Sequence, residues 1–192
     1  MLLKKTKKIM SIVLSMLFMV SILPAIPAFA DDAGNCGEGV TYSFDETTGT
    51  LTISGDGMME NYLPNNEAPW SAYKESIKSV TIKKGVTSIE ERAFSGCENL
   101  QSITLPDSVT SIGEGAFYGC RGLTSIIIPD SVTSIGEWAF CCCSELTTVK
   151  YLGNTEPEHG IYVFENCSKL NRVEVPAGYE SDNFCGKPVV RN

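Results

Sequence analysis

The sequence predicts an α+β repeat solenoid, a right-handed stack of 23-residue rungs with an N-terminal β-hairpin cap. Two consecutive blocks, residues 100–122 and 123–145, carry nearly the same amino acids. Self-similarity at a fixed period of roughly 20–50 residues indicates a stacked repeat architecture. Eight positions of the first block recur in the second with the same or a similar residue: Leu100, Ile103, Leu105, Val109, Ile112, Ala116, Phe117 and Cys120.

Within each rung the spacing of the apolar residues changes along the chain. Residues 102–105 alternate polar and apolar side chains, which is strand spacing, and residues 109–112 resemble a second short strand. Ala116, Phe117 and Cys120 then fall at i, i+1 and i+4, on one face of a single helical turn. Each rung is therefore predicted to run strand, turn, short strand, short helix, with parallel pairing between successive rungs.

The segments before the first rung have the composition of a cap. Residues 40–44 and 50–54 are strand-like and flank a polar turn, so they predict a hairpin. Residues 31–37 are small and polar and are expected to be flexible, and residues 70–75 predict a short helix. The predicted segments are a signal peptide at 1–30, a cap at 31–76, four rungs at 77–99, 100–122, 123–145 and 146–169, and a partial rung with a C-terminal cap at 170–192.

The first 30 residues have the three parts of a secretory signal peptide. Four lysines precede an apolar run, and the Ala28-Phe29-Ala30 triplet gives a cleavage site after Ala30. The alternative is a retained membrane anchor, which the short apolar run disfavours. Cleavage would leave 11 Lys and Arg against 23 Asp and Glu, a net charge of −12. Such an acidic chain is not expected to bind nucleic acid or anionic membranes, and we expect a secreted protein released from the membrane.

Eight cysteines in a secreted chain raise the question of disulfides. Cys97, Cys120, Cys143 and Cys167 recur every 23 or 24 residues, in phase with a phenylalanine, so they form one column of the repeat. A column of free buried thiols is the favoured interpretation, because a thiol packs like a small apolar group. Bonds between neighbouring rungs stay open as the alternative, and Cys36 and Cys185 are predicted to lie in opposite caps. The extra pair Cys141 and Cys142 is predicted to lie near the surface.

The repeating pattern LxxIxIPxxVxxIgxxAFxxC over residues 77–176 resembles the BspA-type leucine-rich repeat family of secreted or surface-displayed bacterial proteins. The resemblance implies a leucine-rich repeat fold and, for some members, protein binding or adhesion to host surfaces, without catalytic residues. The fourth rung departs from the pattern. There the valine and isoleucine columns are predicted at Thr155 and Glu158, with Pro157 between them.

Enzymatic function has little support in the sequence. His159 is the only histidine, and it lies in a polar loop that predicts a solvated side chain. No phosphate-binding loop, dinucleotide fingerprint or serine-nucleophile motif is present. We therefore predict no catalytic residues, no cofactor and no metal. A hydrolase that pairs His159 with Cys167 or an exposed thiol is the remote alternative.

Binding is the function class that the sequence favours. The outward positions of the first strands carry small neutral residues in the early rungs and charged residues in the last two. The predicted partner is an extracellular protein bound by a monomer. The alternative is a glycan that contacts surface aromatics such as Tyr118 and Tyr162. The candidate ligand-binding residues are Thr104, Ile127, Thr148, Lys150, Arg172 and Glu174 on this strand face, and His159 in the loop at 153–162.

Overall fold

The computed structural model describes residues 32–63 and 65–192. The predicted signal peptide and its cleavage site lie outside these residues. In the two ranges the chain forms fifteen strands and a 3₁₀ turn at Ser71–Tyr73, and no helix there is long and apolar enough to span a bilayer. The strands are β1 Asp32–Gly37, β2 Val40–Asp45, β3 Thr50–Gly55, β4 Gly57–Met58, β5 Ser79–Ile82, β6 Val86–Ile89, β7 Ser102–Thr104, β8 Ser111–Ile112, β9 Ser125–Ile128, β10 Ser134–Ile135, β11 Thr148–Tyr151, β12 Glu158–His159, β13 Val173–Val175, β14 Asn183–Phe184 and β15 Lys187–Arg191.

The strands of successive rungs pair in parallel, which confirms the predicted stack. The first strands of the rungs form two sheets, ordered β1-β2-β3-β5-β7 and β14-β15-β13-β11-β9. The second strands form a third sheet, ordered β12-β10-β8-β6-β4. Val80 pairs with Ile103 and Ile126 pairs with Val149, so paired residues are one 23-residue repeat apart.

The short helix predicted in each rung is wrong. Residues 114–119 form consecutive turns, and the N–H groups of Gly115, Phe117 and Gly119 donate to carbonyls of the following rung over 2.8–2.9 Å. These donors are therefore not available to the carbonyl four residues earlier, as a helix requires. Gly115 and Gly119 also have φ of +55° and +69°, in the left-handed region that interrupts a right-handed helix.

The N-terminal segment is more ordered than the sequence predicts. The expected flexible start is strand β1, which pairs antiparallel with β2. The predicted hairpin is present as β2 and β3, and β3 also pairs in parallel with β5. The indole of Trp70 is buried, and its Nε1–H donates to the Ala93 carbonyl over 2.9 Å. The hairpin therefore covers the N-terminal end of the stack, and its strand β3 is also part of the first sheet of the stack.

A ladder of aromatic rings runs through the core, with one ring contributed by each rung. Neighbouring ring centroids lie 5.1–6.3 Å apart. This spacing is close to the separation of adjacent strands, because each ring is carried by one rung. In order along the stack the rings belong to Trp70, Phe94, Phe117, Phe140, Phe164 and Phe184.

The cysteine column lies beside this ladder and is buried, as predicted. The thiols of Cys120, Cys143 and Cys167 each donate to a phenylalanine carbonyl of the preceding rung, over 3.1–3.2 Å. A thiol therefore suits this column because it fills a small apolar space and supplies a weak donor. All eight cysteines are free thiols in the structure. Cys141 and Cys142 lie near the surface, as predicted, but the Cys141 side chain is buried there and only Cys142 is partly exposed.

The fourth rung follows a different register from the predicted one. Tyr151 pairs with a residue 23 positions earlier, whereas His159 pairs with a residue 24 positions earlier. One extra residue is therefore accommodated between Tyr151 and β12. The isoleucine column consequently falls on His159, and not on Glu158. Residues 155–157 precede the paired strand, and Pro157 is the buried residue among them.

Candidate functional site

The predicted strand face is only partly continuous. Ile127, Lys150 and Glu174 are neighbours across β9, β11 and β13, and Ile127 and Lys150 are exposed. Thr104 lies on β7, which is not paired with β9, so it belongs to the other sheet. Thr148 begins β11 and Arg172 immediately precedes β13, and both are exposed. The structure thus brings five of the seven predicted residues together.

His159 is separate from that face. It lies on β12, in the sheet of second strands, so the predicted projecting loop is partly a strand. Its imidazole does not pair with Cys167, whose thiol donates to the Phe140 carbonyl in the core. The ring lies instead beside Glu156 and Cys185, and the ligand atoms of these three residues are within 4.8 Å of one another. Sequence reasoning missed this cluster, because Cys185 comes from the C-terminal hairpin.

A groove of about 470 Å³ crosses the turn segments of successive rungs. We call it the aromatic groove. The rings of Tyr118, Trp138 and Tyr162 are 45%, 38% and 53% exposed there. Exposed large apolar side chains that cluster often mark a binding surface. Sequence reasoning named Tyr118 and Tyr162 only as glycan contacts and missed Trp138. The residues that define the groove are Arg92, Glu114, Gly115, Tyr118, Trp138, Tyr162 and Glu165.

A column of left-handed residues builds the groove. Arg92, Gly115, Trp138 and Tyr162 occupy equivalent positions in four rungs, with φ between +53° and +59°. Positive φ is unusual for a bulky residue, and such strain persists where the surroundings fix the backbone. Here the inter-rung hydrogen bonds fix it, since the N–H groups of Arg92 and Trp138 donate to the next rung over 2.9 and 3.1 Å. Alignment of the four rungs by sequence places these residues in one column and would have identified it.

Gly115 leaves a notch in this column. The Trp138 ring stacks on Tyr162 with centroids 6.4 Å apart and planes 7° from parallel. On the other side of Trp138 the equivalent position is Gly115, which has no side chain to cover the indole. A Cβ atom there would lie 3.6 Å from Cγ of Arg92, which belongs to the preceding rung of the column. The notch is therefore bordered by the indole of Trp138 and the aliphatic part of the Arg92 side chain, and it has room for one side chain between them.

The charges around the groove are predominantly acidic. Glu114 and Glu165 line it, and the Arg92 guanidinium at its end is 3.5 Å from the Glu91 carboxylate. The Cys141 thiol beside the groove is a poor nucleophile, because burial raises its pKa to about 12. Its sulfur lies 3.5 Å from that of Cys142. The groove thus combines ring faces and carboxylates suited to non-covalent binding.

Known proteins similar to this chain are bacterial repeat proteins. A leucine-rich repeat protein from Eubacterium ventriosum superposes with a TM-score of 0.59 at 24% identity, over 78% of this chain and 45% of that one. The T. pallidum leucine-rich repeat protein gives 0.52 at 28% identity, over 71% and 69%. A leucine-rich cell surface protein from Faecalibacterium prausnitzii gives 0.50 at 27% identity, over 73% and 38%.

This chain thus spans less than half of the E. ventriosum and F. prausnitzii proteins. No sequence among the curated proteins matches it. The model of the BspA-type leucine-rich repeat region matches residues 71–183 in six copies, which is more than half of the chain. The chain belongs to the BspA-type leucine-rich repeat family.

Proposed function

We propose that this protein is a secreted or surface-exposed, non-enzymatic binding module that holds an extracellular protein ligand in the aromatic groove. The observation that carries the proposal is the notch at Gly115, where one face of Trp138 is left uncovered within a column of stacked side chains. An aromatic side chain of the ligand would occupy this position. It would stack on the indole on one side and lie against the Arg92 stem on the other.

Ring stacking and charge both support this ligand chemistry. Aromatic pairs gain roughly 0.5–1.5 kcal/mol beyond the burial of their surface. The core ladder shows that rings on successive rungs stack at 5.1–5.4 Å in this repeat. The carboxylates of Glu114 and Glu165, in a chain of net charge −8, favour basic residues next to the ligand's aromatic residue.

The strand face and a glycan ligand are less well supported. Ile127 is the exposed large apolar residue on the described strands of that face, whereas the groove has three exposed aromatic rings. Trp138 and Tyr162 stack face to face and therefore do not form a flat surface side by side. A flat platform for a glycan would need several rings side by side.

Export is part of the proposal. It rests on the N-terminal sequence and on the surface or secreted location typical of the family, of which the F. prausnitzii cell surface protein is an example. Cleavage after Ala30 would release residues 31–192. N-terminal sequencing of the protein recovered from the medium of the expressing bacterium tests this cleavage, and the first residue should be Asp31.

The test of the groove is a binding assay with residues 31–192 against an array of extracellular-matrix proteins and a glycan array. Trp138→Ala should weaken binding to the captured matrix protein roughly thirtyfold, the effect expected for a hot-spot tryptophan of about 2 kcal/mol. Gly115→Trp should weaken it similarly, because the new indole would fill the notch. An indole at this φ strains the backbone, but Trp138 adopts the same conformation at φ of +53° within the fold.

Matched controls separate the groove from the other surfaces. Ile127→Ala and the charge reversal of Lys150 and Arg172 alter the strand face only, and they should leave the affinity within about twofold of the parent chain. Thermal unfolding of every variant checks that the fold is retained. Loss of binding in the charge-reversed variant together with normal binding by Trp138→Ala would place the site on the strand face. Binding to glycans alone would refute a protein ligand.

A further inference from the structure

We propose that Glu156, His159 and Cys185 form a binding site for a divalent transition-metal ion of the zinc class. The site is independent of the aromatic groove, because it joins the fourth rung to the C-terminal hairpin. Its carboxylate oxygen, imidazole nitrogen and thiol sulfur lie within 4.8 Å of one another. Nitrogen, sulfur and oxygen donors in one cluster favour zinc and its neighbours over magnesium and calcium, which prefer oxygen donors alone.

One of the ligands occupies a position that is apolar in the other rungs. His159 pairs with Ile135, in the isoleucine column, but its side chain is exposed and lies beside the buried Cys185. Glu156 lies in the segment that accommodates the inserted residue, and it is partly exposed. An imidazole thus replaces the buried isoleucine of the preceding rungs where the C-terminal hairpin supplies a cysteine bonded to Glu156. This replacement indicates a function other than packing.

Cys185 is held against these residues by a tight turn. It precedes Gly186 in the two-residue connection between β14 and β15, and both residues have positive φ, +46° and +80°. Asparagine or aspartate followed by glycine is the usual pair in such a turn, so the cysteine is not explained by turn formation. The Cys185 backbone N–H donates to Oε1 of Glu156 over 2.6 Å, which fixes the carboxylate beside the thiol.

The hydrogen bonds of the imidazole leave the correct nitrogen free for a metal. Nδ1 of His159 lies 2.9 Å from the Gly160 carbonyl oxygen. Because a carbonyl only accepts, Nδ1 carries the proton, and in the neutral ring Nε2 then has a free lone pair. Nε2 faces Oε1 of Glu156 at 3.4 Å. A lone pair that faces a carboxylate requires a proton or a cation, and a backbone bond at Nδ1 is the usual support of a zinc-bound histidine.

The distances are compatible with tetrahedral coordination. Zinc bonds of about 2.0–2.1 Å to nitrogen and 2.0–2.2 Å to oxygen place two such ligands about 3.3–3.5 Å apart. The observed separation of Nε2 and Oε1 is 3.4 Å. Sulfur forms a bond of about 2.3 Å, which places it about 3.6 Å from the other two ligand atoms, so the Cys185 sulfur needs to move by no more than about 1.2 Å. The His159 side chain is 34% exposed, so water can occupy a fourth position.

The experiment is a titration of metal-free residues 31–192 with ZnCl2 by calorimetry in a non-thiol reductant. We expect one ion per chain with a dissociation constant in the micromolar range or below, and a higher Tm when zinc is present. His159→Gln and Cys185→Ser should each weaken binding at least tenfold. Glu158→Gln and Cys142→Ser change a neighbouring carboxylate and an accessible thiol outside the site, and they should leave the affinity unchanged.

Cobalt(II) provides a readout specific for the sulfur ligand. A thiolate-to-cobalt absorption band should appear with the parent chain and with Cys142→Ser, and it should be absent with Cys185→Ser. Circular dichroism of the metal-free variants checks their folding, and Trp138→Ala should bind zinc normally. The proposal is overturned if the folded parent chain takes up no zinc at micromolar concentration. It is also overturned if the affinity for zinc is unchanged in both His159→Gln and Cys185→Ser, whatever Cys142→Ser does.

Discussion

Phe117 shows how a single residue of the ladder contributes to stability. Its ring is fully buried and stacks between Phe94 and Phe140 at 5.4 and 5.1 Å. Phe117→Ala would leave a cavity that the rigid rungs on either side cannot close, so we expect a loss of about 3–5 kcal/mol in the free energy of unfolding. Denaturant unfolding followed by circular dichroism measures this loss.

Tyr118 is the matched control for that substitution, because it is the next residue and its ring is 45% exposed. Tyr118→Ala should change the free energy of unfolding by less than about 0.5 kcal/mol. Equal stabilities for the two variants would contradict the inward position of Phe117.

Burial also lowers the reactivity of individual thiols. It raises the pKa of Cys97 and of Cys141 to about 12. At pH 8 a thiol with a pKa of about 12 is ionised in only about 1 in 10,000 molecules. An ordinary cysteine with a pKa of about 8.5 is ionised in about a quarter of them. We therefore expect iodoacetamide to modify these two cysteines on the order of a thousandfold more slowly in the folded chain than in denaturant.

Mass spectrometry of peptides from the labelled chain measures those rates. Because only the thiolate reacts, labelling of the folded chain should rise about tenfold for each pH unit between 7 and 9. Cys142, which is partly exposed, should be modified first. Rapid labelling of Cys97 in the folded chain would show that the column opens to solvent.

At the scale of the element, the turn segments show what local sequence leaves undecided. The 23-residue period predicts the inward columns, and the structure buries them. The spacing of Ala116, Phe117 and Cys120 fits one helical turn and a series of β-turns equally well. What distinguishes the two is that alternate N–H groups donate to the next rung, a contact between distant residues that no local spacing contains.

The aromatic groove and the metal cluster escape prediction for a similar reason. Tyr118, Trp138 and Tyr162 belong to three different rungs, and only the stacking register brings their rings together. The two similar blocks differ at this position, which is Gly115 in one and Trp138 in the other, and the sequence shows this difference. The positive φ of Trp138 cannot be read from the sequence. The partnership of His159 with Cys185 depends on one inserted residue and on the fold of the C-terminal hairpin.

The left-handed column gives a prediction at this scale. Arg92 has φ of +55°, a conformation that costs a residue with a Cβ roughly 1–2 kcal/mol and costs glycine little. Arg92→Gly removes this strain but also loses contacts of the arginine stem and gives a more flexible unfolded chain. We expect its free energy of unfolding to stay within about 1 kcal/mol of the parent chain.

Arg92→Val is the informative counterpart of that variant. A β-branched residue fits the left-handed region poorly, so it should lower the free energy of unfolding by about 1–3 kcal/mol relative to Arg92→Gly. Thermal unfolding of both variants measures the difference. Equal stabilities would show that the backbone of this turn relaxes, and that inter-rung bonds do not hold it in the left-handed region.

At the largest scale, residues 32–63 and 65–192 form a linear stack whose rungs contact mainly their neighbours, with a pair of antiparallel strands at each end. β1 covers the N-terminal edge through β2, and β14 pairs antiparallel with β15 at the other end. β1 and β14 are themselves edge strands, so the monomeric state stays a prediction. Stability of such a stack is approximately a sum over rungs and the interfaces between them.

Removal of one complete repeat should therefore preserve the fold. Deletion of residues 100–122 joins Asn99 to Leu123 and keeps every column in register. We expect a cooperative but lower Tm, because one rung and one interface are lost. Deletion of residues 100–111 instead removes about half a repeat and places a turn where a strand should pair. That chain should not fold, as measured by circular dichroism.

The complete-repeat deletion also separates the two proposed sites. It removes Gly115 and Tyr118 and brings the rung of Arg92 next to the rung of Trp138, so the notch no longer exists. Binding of the matrix protein should be lost by at least tenfold. Glu156, His159 and Cys185 all follow the deletion, and zinc should bind with unchanged affinity. A deletion variant that folds and keeps its protein ligand would show that the ligand does not use the notch, whereas loss of zinc binding would show that the metal site depends on the length of the stack.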